Sequence, residues 1–379
     1  MTEDDREQMV ALVRQSFNSP PPFVDRLRAI PADVYRLVVE DGRLLAAASC
    51  WPYRHFFGGN SIGSAGISSV VVAPHARGRR LAETLVGEMM REARATMPVS
   101  TLYPATVPLY RRLGYEYAAT RCTYRMPMNA LQRFPGEAAV EPWDDDDVDA
   151  VTAAQRAYAS DFTGMMDRTP VYWDRLFQPM GGDPVYRVLV REDGAVTGSM
   201  IYLQENGFNM DLVARDLFWR TPHAARALLS FVARHHSLGR EFSWIGRPGD
   251  PMLFFTEEHK IREEERWHLM LRILDVPAAL AARGYPAGVE SAVSVAVDDE
   301  RFPQNRGPWR ITVSGGKGAV EQGGEADVTL MPRALAAIFS GFLTPFEARR
   351  SGLADGPDGA LDRLGAVFSG SAPWTTDFF

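Results

Sequence analysis

Residues Val70-Val71-Val72-Ala73-Pro74-His75-Ala76-Arg77-Gly78-Arg79-Arg80-Leu81-Ala82 join an apolar strand to a basic, glycine-containing turn and then to a helix. The helix carries Leu81, Leu85, Met89 and Ala93 at four-residue spacing. Such a stripe packs a helix onto a sheet and fixes its N-terminal N–H groups and positive dipole end toward the turn. That is an anion site: backbone amides would hold a pyrophosphate, and Arg77, Arg79 and Arg80 would add charge. The plainer reading of the same residues is a solvated basic turn capping an ordinary strand–helix unit.

The other reactive residue types form no comparable pattern. There is no His-Glu-x-x-His, and the adjacent His235 and His236 point to different helix faces, so no metal site is expected. No Gly-x-Ser-x-Gly elbow occurs, which argues against a hydrolase of that kind. The two cysteines, Cys50 and Cys122, have strand-like flanks and no Cys-x-x-Cys spacing. They read as small buried hydrophobes in a reducing, cytoplasmic protein. With 41 Lys and Arg against 48 Asp and Glu, the net charge of −7 has the wrong sign for wrapping nucleic acid or sitting on anionic lipid. No apolar stretch reaches the ~18 residues that span a bilayer, and the start Thr2-Glu3-Asp4-Asp5 is acidic where a signal peptide is basic.

The elements that must position the turn are visible as a repeat. At a prior of ~150 residues per domain, 379 residues make two or three domains. Glu3-Asp4-Asp5 caps an apolar-periodic run through Met9, Leu12, Val13 and Phe17, and Asp144 to Asp147 caps a second through Val148, Val151, Ala154 and Tyr158. Each is followed by Tyr-Arg, an apolar strand and an Asp-Gly turn, at Asp41-Gly42 and Asp193-Gly194. An Asp-Gly pair between apolar runs predicts a hairpin, because Gly accepts the positive φ that the turn needs. The returning strands are Leu44 to Trp51 and Val196 to Tyr202; third strands follow at Ile67 to Val72 and Leu212 to Trp219. After Pro74-His75 and Pro222-His223 come helices at about 79–94 and 224–234. From about Leu274 the texture turns rich in Ala, Gly and Pro. Strands are expected at Val289 to Val297, Arg310 to Val313 and Ala326 to Leu330, with a helix at Pro332 to Phe342. The aromatic end, Trp374 through Phe378 and Phe379, predicts a docked segment.

At the basic turn the sequence resembles the GNAT acyltransferases, whose acetyl-CoA loop follows a strand with the pattern Arg/Gln-x-x-Gly-x-Gly/Ala. Arg77 matches the first position and Ala82 the last, whereas Arg80 replaces the middle Gly and Gly78 lies two residues earlier. Leu109-Tyr110-Arg111-Arg112-Leu113-Gly114-Tyr115 looks like the family signature Tyr-x-x-Φ-Gly-Φ. The whole chain is similar to Eis-type (enhanced intracellular survival) acetyltransferases: a GNAT domain with the loop, a GNAT-like unit without it, and a sterol-carrier-like domain. Val276-Pro277, Arg283-Gly284-Tyr285, and Asn305, Gly307 and Trp309 look like that family's third-domain signatures. GNAT domains usually place a strand before the acidic cap, and this chain begins at the cap.

The resemblance implies a mixed α/β fold: tandem GNAT-like domains at 1–130 and 131–273 and a sterol-carrier-like α/β domain at 274–379. It implies acetyl-CoA as cosubstrate, no metal, a primary amine such as an aminoglycoside, polyamine or lysine-like group as acceptor, and a hexamer. Backbone N–H groups of Val70, Val71 and Val72 would polarise the thioester. Tyr110, a phenol of ordinary pKa ~10, would protonate the leaving thiolate, and the α-carboxylate of Phe379 would accept the amine proton. Trp51, Tyr53 and Phe56 would line an amine pocket or belong to the core. In the second unit Pro222-His223-Ala224-Ala225-Arg226-Ala227 lacks Gly, so no CoA is expected there. The competing expectation is a silent ligand-binding or scaffold protein whose altered loop has lost acetyl-CoA.

Overall fold

The computed structural model describes residues 1–18, 26–131, 140–178, 184–207, 209–256 and 260–379. Two compact units result: residues 1–119, 268–373 and 378–379 form the first, and residues 120–267 and 374–377 the second.

In the first unit Thr2 caps helix α1 (Glu3–Phe17), its hydroxyl accepting the Asp5 N–H while the Asp5 carboxylate accepts the Thr2 N–H. Met9, Val10, Leu12 and Val13 are buried. Phe17, the expected end of that stripe, is exposed in the last turn. Strands β1 (Tyr35–Glu40) and β2 (Arg43–Phe57) meet at Asp41 and Gly42, with φ +49° and +73°. Both central residues are thus left-handed, as the Asp-Gly pair requires. β2 continues well past Trp51, through Pro52. Its pairing with β1 ends at Ser49, so Pro52 has an open edge on that side and its missing N–H is tolerated. β3 (Asn60–Val72) runs antiparallel to β2. Helix α2 (Leu81–Ala93) leads to β4 (Val99–Leu102), parallel to β3, and the short helix α3 (Val107–Arg112) leads to β5 (Glu116–Pro127).

In the second unit β6 (Glu141–Pro142) precedes an Asp144–Asp147 capping box and α4 (Val148–Ser160), then α5 (Pro170–Phe177). The hairpin β7 (Tyr186–Glu192) and β8 (Ala195–Glu205) turns at Asp193 and Gly194, φ +50° and +82°, repeating the first hairpin's geometry. β9 (Asp211–Trp219), α6 (Pro222–Arg234) and β10 (Glu241–Gly246) complete the repeat, with strand order β5-β10-β9-β8-β7-β6.

The end of β11 (Arg262–Ile273) pairs with β4 in the first unit. Helix α7 (Val276–Ala282) then opens a region whose sheet comprises β12 (Ser291–Val297), β13 (Trp309–Ser314), β14 (Lys317–Gln322), β15 (Val328–Leu330) and β16 (Ala354–Asp355), in the order β14-β13-β12-β15-β16. Helices α8 (Pro332–Ser340), α9 (Pro345–Arg350) and α10 (Asp358–Val367) cover it. Phe57, Ile62 and Val99 of the GNAT-like part share one apolar core with Val295, Leu335 and Phe339, which is why this region clusters with residues 1–119. No helix among the described residues is long and apolar enough to cross a membrane.

Candidate active site

The basic turn has a backbone built for close approach. Gly78 has φ +83°, and Arg80, the N-cap of α2, has φ +57° and ψ +21°. The position where the family pattern has Gly is therefore left-handed here. Arg80 holds it despite a cost of roughly 1–2 kcal/mol for an L residue. The cap makes no side-chain hydrogen bond, which leaves the first N–H groups of α2 without a side-chain acceptor. Arg79 forms a bidentate pair with Glu40, at 2.9 and 3.0 Å, so it is tied to the first hairpin. Arg77 and Arg80 make no ion pair with a described residue.

The strand before the turn loses its neighbour. β3 and β4 pair only over Ser64–Gly66 and Val99–Thr101, and β4 ends at Leu102. From Ile67 through Val72, β3 keeps β2 on one side, while alternate backbone groups on the other edge face the opening. Ser69, at φ +51°, lies where the β2–β3 register shifts, a bulge that adds twist at this point.

Tyr110 sits in α3 among Ala65, Ile67, Leu102 and Met89 on the α2 face of the sheet. It is 4% exposed, and burial pushes its phenol up to about 12, so the proton is retained at neutral pH. The spacing Tyr110 to Tyr115 has a backbone explanation. The Tyr115 N–H donates to the Tyr110 carbonyl at 3.1 Å and the Gly114 N–H to the Arg111 carbonyl at 3.0 Å, with Gly114 at φ +87°. This is a Schellman cap, with the Tyr110 and Tyr115 rings in edge contact at 6.0 Å. Tyr115 is fully buried, shares a 2.7 Å hydrogen bond with the Ser100 hydroxyl, and has its phenol pushed well up by burial.

Phe379 lies against the opposite face. Its ring contacts Tyr53 at 4.8 Å, Tyr103 at 5.8 Å and His55 at 6.1 Å between centroids, and the Phe378 ring lies 4.4 Å from Tyr103. Gly66 makes the floor, since a Cβ there would come within 2.3 Å of Tyr53 and 3.2 Å of Phe379. Alternation sorts these positions: Trp51, Tyr53 and His55 of β2 share the face of Gly66 and Thr101, whereas Ala65, Ser100 and Leu102 face α2. Phe56 is one residue out of phase with that set and buried, so it does not line the cluster with Trp51 and Tyr53. Tyr110 and Phe379 thus stand on opposite faces, on either side of the strands that part between β3 and β4.

The sequence reading passed over His55, Thr101 and Tyr103. His55 is buried, with Nε2 3.3 Å from the Thr101 hydroxyl, which in turn lies 2.9 Å from that of Ser64. Period-two spacing from Trp51 through Tyr53 would have reached His55 had the strand been extended past Pro52. Among the described residues no cluster of His, Cys, Asp and Glu could hold a metal.

Family models align along the whole arrangement: an acetyltransferase (GNAT) domain at residues 1–118, a second at 164–273, and a sterol carrier protein domain at 276–376. The N-acetyltransferase Eis of Mycobacterium tuberculosis is 27% identical, with 100% of this chain and 98% of that protein aligned. An N-acetyltransferase of Streptomyces avermitilis is 28% identical over 84% of this chain and 82% of its own length. The crystal structure of a GCN5-related N-acetyltransferase from Anabaena variabilis superposes with a TM-score of 0.95 at 27% identity, covering 100% of this chain and 98% of that one. The parted strands, the left-handed loop and the Schellman-capped tyrosine therefore belong to an acetyltransferase, and the chain is a member of the GNAT family with the Eis-type arrangement of two GNAT domains and a sterol carrier protein domain.

Proposed function

We propose that this enzyme transfers the acetyl group of acetyl-CoA directly to a primary amine on a small molecule. The observation that carries the reading is the unpaired edge of β3 running straight into an uncapped, left-handed loop at a helix start. Backbone amides at Arg77, Gly78, Arg79, Arg80 and Ala82 would hold the pyrophosphate, with Arg77 and Arg80 supplying charge. Those N–H groups among Val70, Val71 and Val72 that face the open edge would donate to the thioester oxygen as it becomes an oxyanion.

The amine nitrogen attacks the carbonyl carbon, the tetrahedral intermediate collapses, and the C–S bond breaks. Tyr110 protonates the departing thiolate, and the ammonium proton passes to the α-carboxylate of Phe379, directly or through water. Direct transfer is supported by the thiols: burial pushes both Cys50 and Cys122 up, so neither offers a ready thiolate for an acyl-enzyme. Two free cysteines suit a cytoplasmic setting. Three domains, at 1–130, 131–273 and 274–379, and a hexameric assembly complete the proposal.

Calorimetry with acetyl-CoA, followed by thiol release in the presence of a polyamine or an aminoglycoside, tests it. One acetyl-CoA per chain and amine-dependent thiol release are expected; no binding would leave a scaffold. Deleting Phe379, or extending the chain beyond it, is expected to cut kcat while leaving acetyl-CoA affinity intact. Unchanged kcat in both variants removes Phe379 from the mechanism. A monomer mass by light scattering at micromolar concentration refutes the hexamer.

A further inference from the structure

Tyr110 rides on a helix of only six residues, far below the ~12–15 that hold a helix together in water without tertiary support. Its orientation must be imposed by what grips its end. Two charge networks built on the buried carboxylates Glu116 and Asp299 do so, and both reach into the sterol carrier protein region.

In the first network the Glu116 carboxylate accepts from Arg111, the residue after Tyr110, at 2.8 Å from Nη2 and 3.0 Å from Nε. The same carboxylate accepts from Arg333 of α8, at 2.6 Å from Nη2 and 2.9 Å from Nε. Glu116 is 4% exposed, so removing either guanidinium leaves a buried carboxylate half-satisfied. In the second, the Arg272 guanidinium lies against the backbone of Gly114, where a Cβ would meet it at 3.0 Å. Arg272 donates to Asp299 at 2.5 Å, and Asp299 also accepts from the Asn305 amide at 3.0 Å and the Phe302 N–H at 3.1 Å. The Schellman turn is held at Arg111 on one side and at Gly114 on the other.

We propose that Arg333, acting through Glu116 and Arg111, is a positioning residue for Tyr110, so that the sterol carrier protein domain sets the geometry of proton donation in the first GNAT domain. The inference rests on Tyr110 being the proton donor. It gives the third domain a catalytic task that needs no lipid.

The test uses the full chain and compares Arg333→Met, Arg333→Lys and Glu116→Gln in the wild-type and Tyr110→Phe backgrounds. With Tyr110 present, Arg333→Met is expected to lower kcat roughly tenfold or more, since an ångström of misplacement costs up to about 100-fold. The KM for acetyl-CoA stays within about twofold, because the loop at Arg77 to Ala82 is untouched. Arg333→Lys recovers part of the loss, and the near-isosteric Glu116→Gln reproduces it should Arg333→Met fold poorly. In the Tyr110→Phe background the same changes should leave kcat nearly unaltered, because the group they position is gone. An equal loss in both backgrounds overturns the inference, as does an unchanged kcat with Tyr110 present. Should Tyr110→Phe alone leave kcat unchanged, the proton-donor reading falls and this inference with it, a result distinct from failure of the Arg333 arm alone.

Discussion

The two GNAT domains share an order of elements and treat the start of the loop helix in opposite ways. In the first, α2 begins at Arg80 with no side-chain cap, after a loop with two left-handed residues. In the second, α6 starts directly after β9 with Thr221 as its cap, whose hydroxyl accepts the Ala224 N–H at 3.0 Å. Thr221 also donates to Glu192, which accepts a second hydroxyl from Thr197 at 2.7 Å. The cap hydroxyl of the second domain is thus itself held by a protein carboxylate. The parted strands differ in the same sense. β9 and β10 pair only at Leu212–Val213 and Phe242–Ser243, and beyond them Leu217, Trp219, Trp244 and Trp374 crowd a cavity of about 150 Å³. One copy leaves its helix start without a side-chain cap, and the other caps it from within. A duplicated fold thus separates what makes the domain stable from what makes it a site.

The largest effect should come from Tyr110→Phe, which removes the phenol proton but keeps the ring packing on Tyr115. A fall in kcat of about 100-fold or more is expected, with acetyl-CoA affinity retained. A small effect would leave the proposed acetyl-CoA site with no assigned acid. Next, Arg77→Ala should weaken acetyl-CoA by roughly 1–3 kcal/mol in calorimetry. Arg226→Ala, its counterpart in the second domain, should leave both affinity and stoichiometry unchanged, and equal losses from the two variants would erase the contrast.

Removing the internal cap is a smaller perturbation. Thr221→Ala should destabilise the protein by about 1 kcal/mol in denaturant unfolding without altering kcat. A loss of activity instead would mean that the second domain's helix start is functional. The smallest and most diagnostic effect is in pH. Burial pulls the Glu116 carboxyl up, but the hydrogen bonds from Arg111 and Arg333 outweigh it and hold it below the ordinary range. In the second domain the Thr221 and Thr197 hydroxyls hold Glu192 low. A carboxyl whose folded pKa is depressed adds stability that is present above its unfolded value, about 4.3, and is lost as pH falls through the folded one. The stability gap between wild type and Glu116→Gln should therefore hold from pH 7 to about 5 and close on further acidification. Glu192→Gln should behave likewise at smaller amplitude, and a gap that widens in acid would reverse the sign for either group.

Much of this was written locally. Asp-Gly turns, acidic caps and the Tyr110 to Gly114 spacing are short-range features, because a left-handed residue or a reciprocal cap needs only its own neighbours. The duplication, the basic turn and the late change of texture were legible for the same reason. Arg80 marks the boundary of that legibility: its side chain departs from the family pattern, yet its backbone adopts the conformation that glycine would favour, imposed by the strand and helix on either side. What no local rule could supply was partnership at long range. The expected strand stopped at Trp51, whereas β2 runs on through Pro52, whose open edge is harmless because β1 stops early. His55 and Thr101 meet because two strands distant in sequence lie in register, and Arg333 reaches Glu116 across 217 residues. Propensity and turn chemistry depend on residues within a few positions of each other, whereas faces, ion-pair partners and cleft openings depend on which strands lie side by side, and that was decided by the packing of the whole unit.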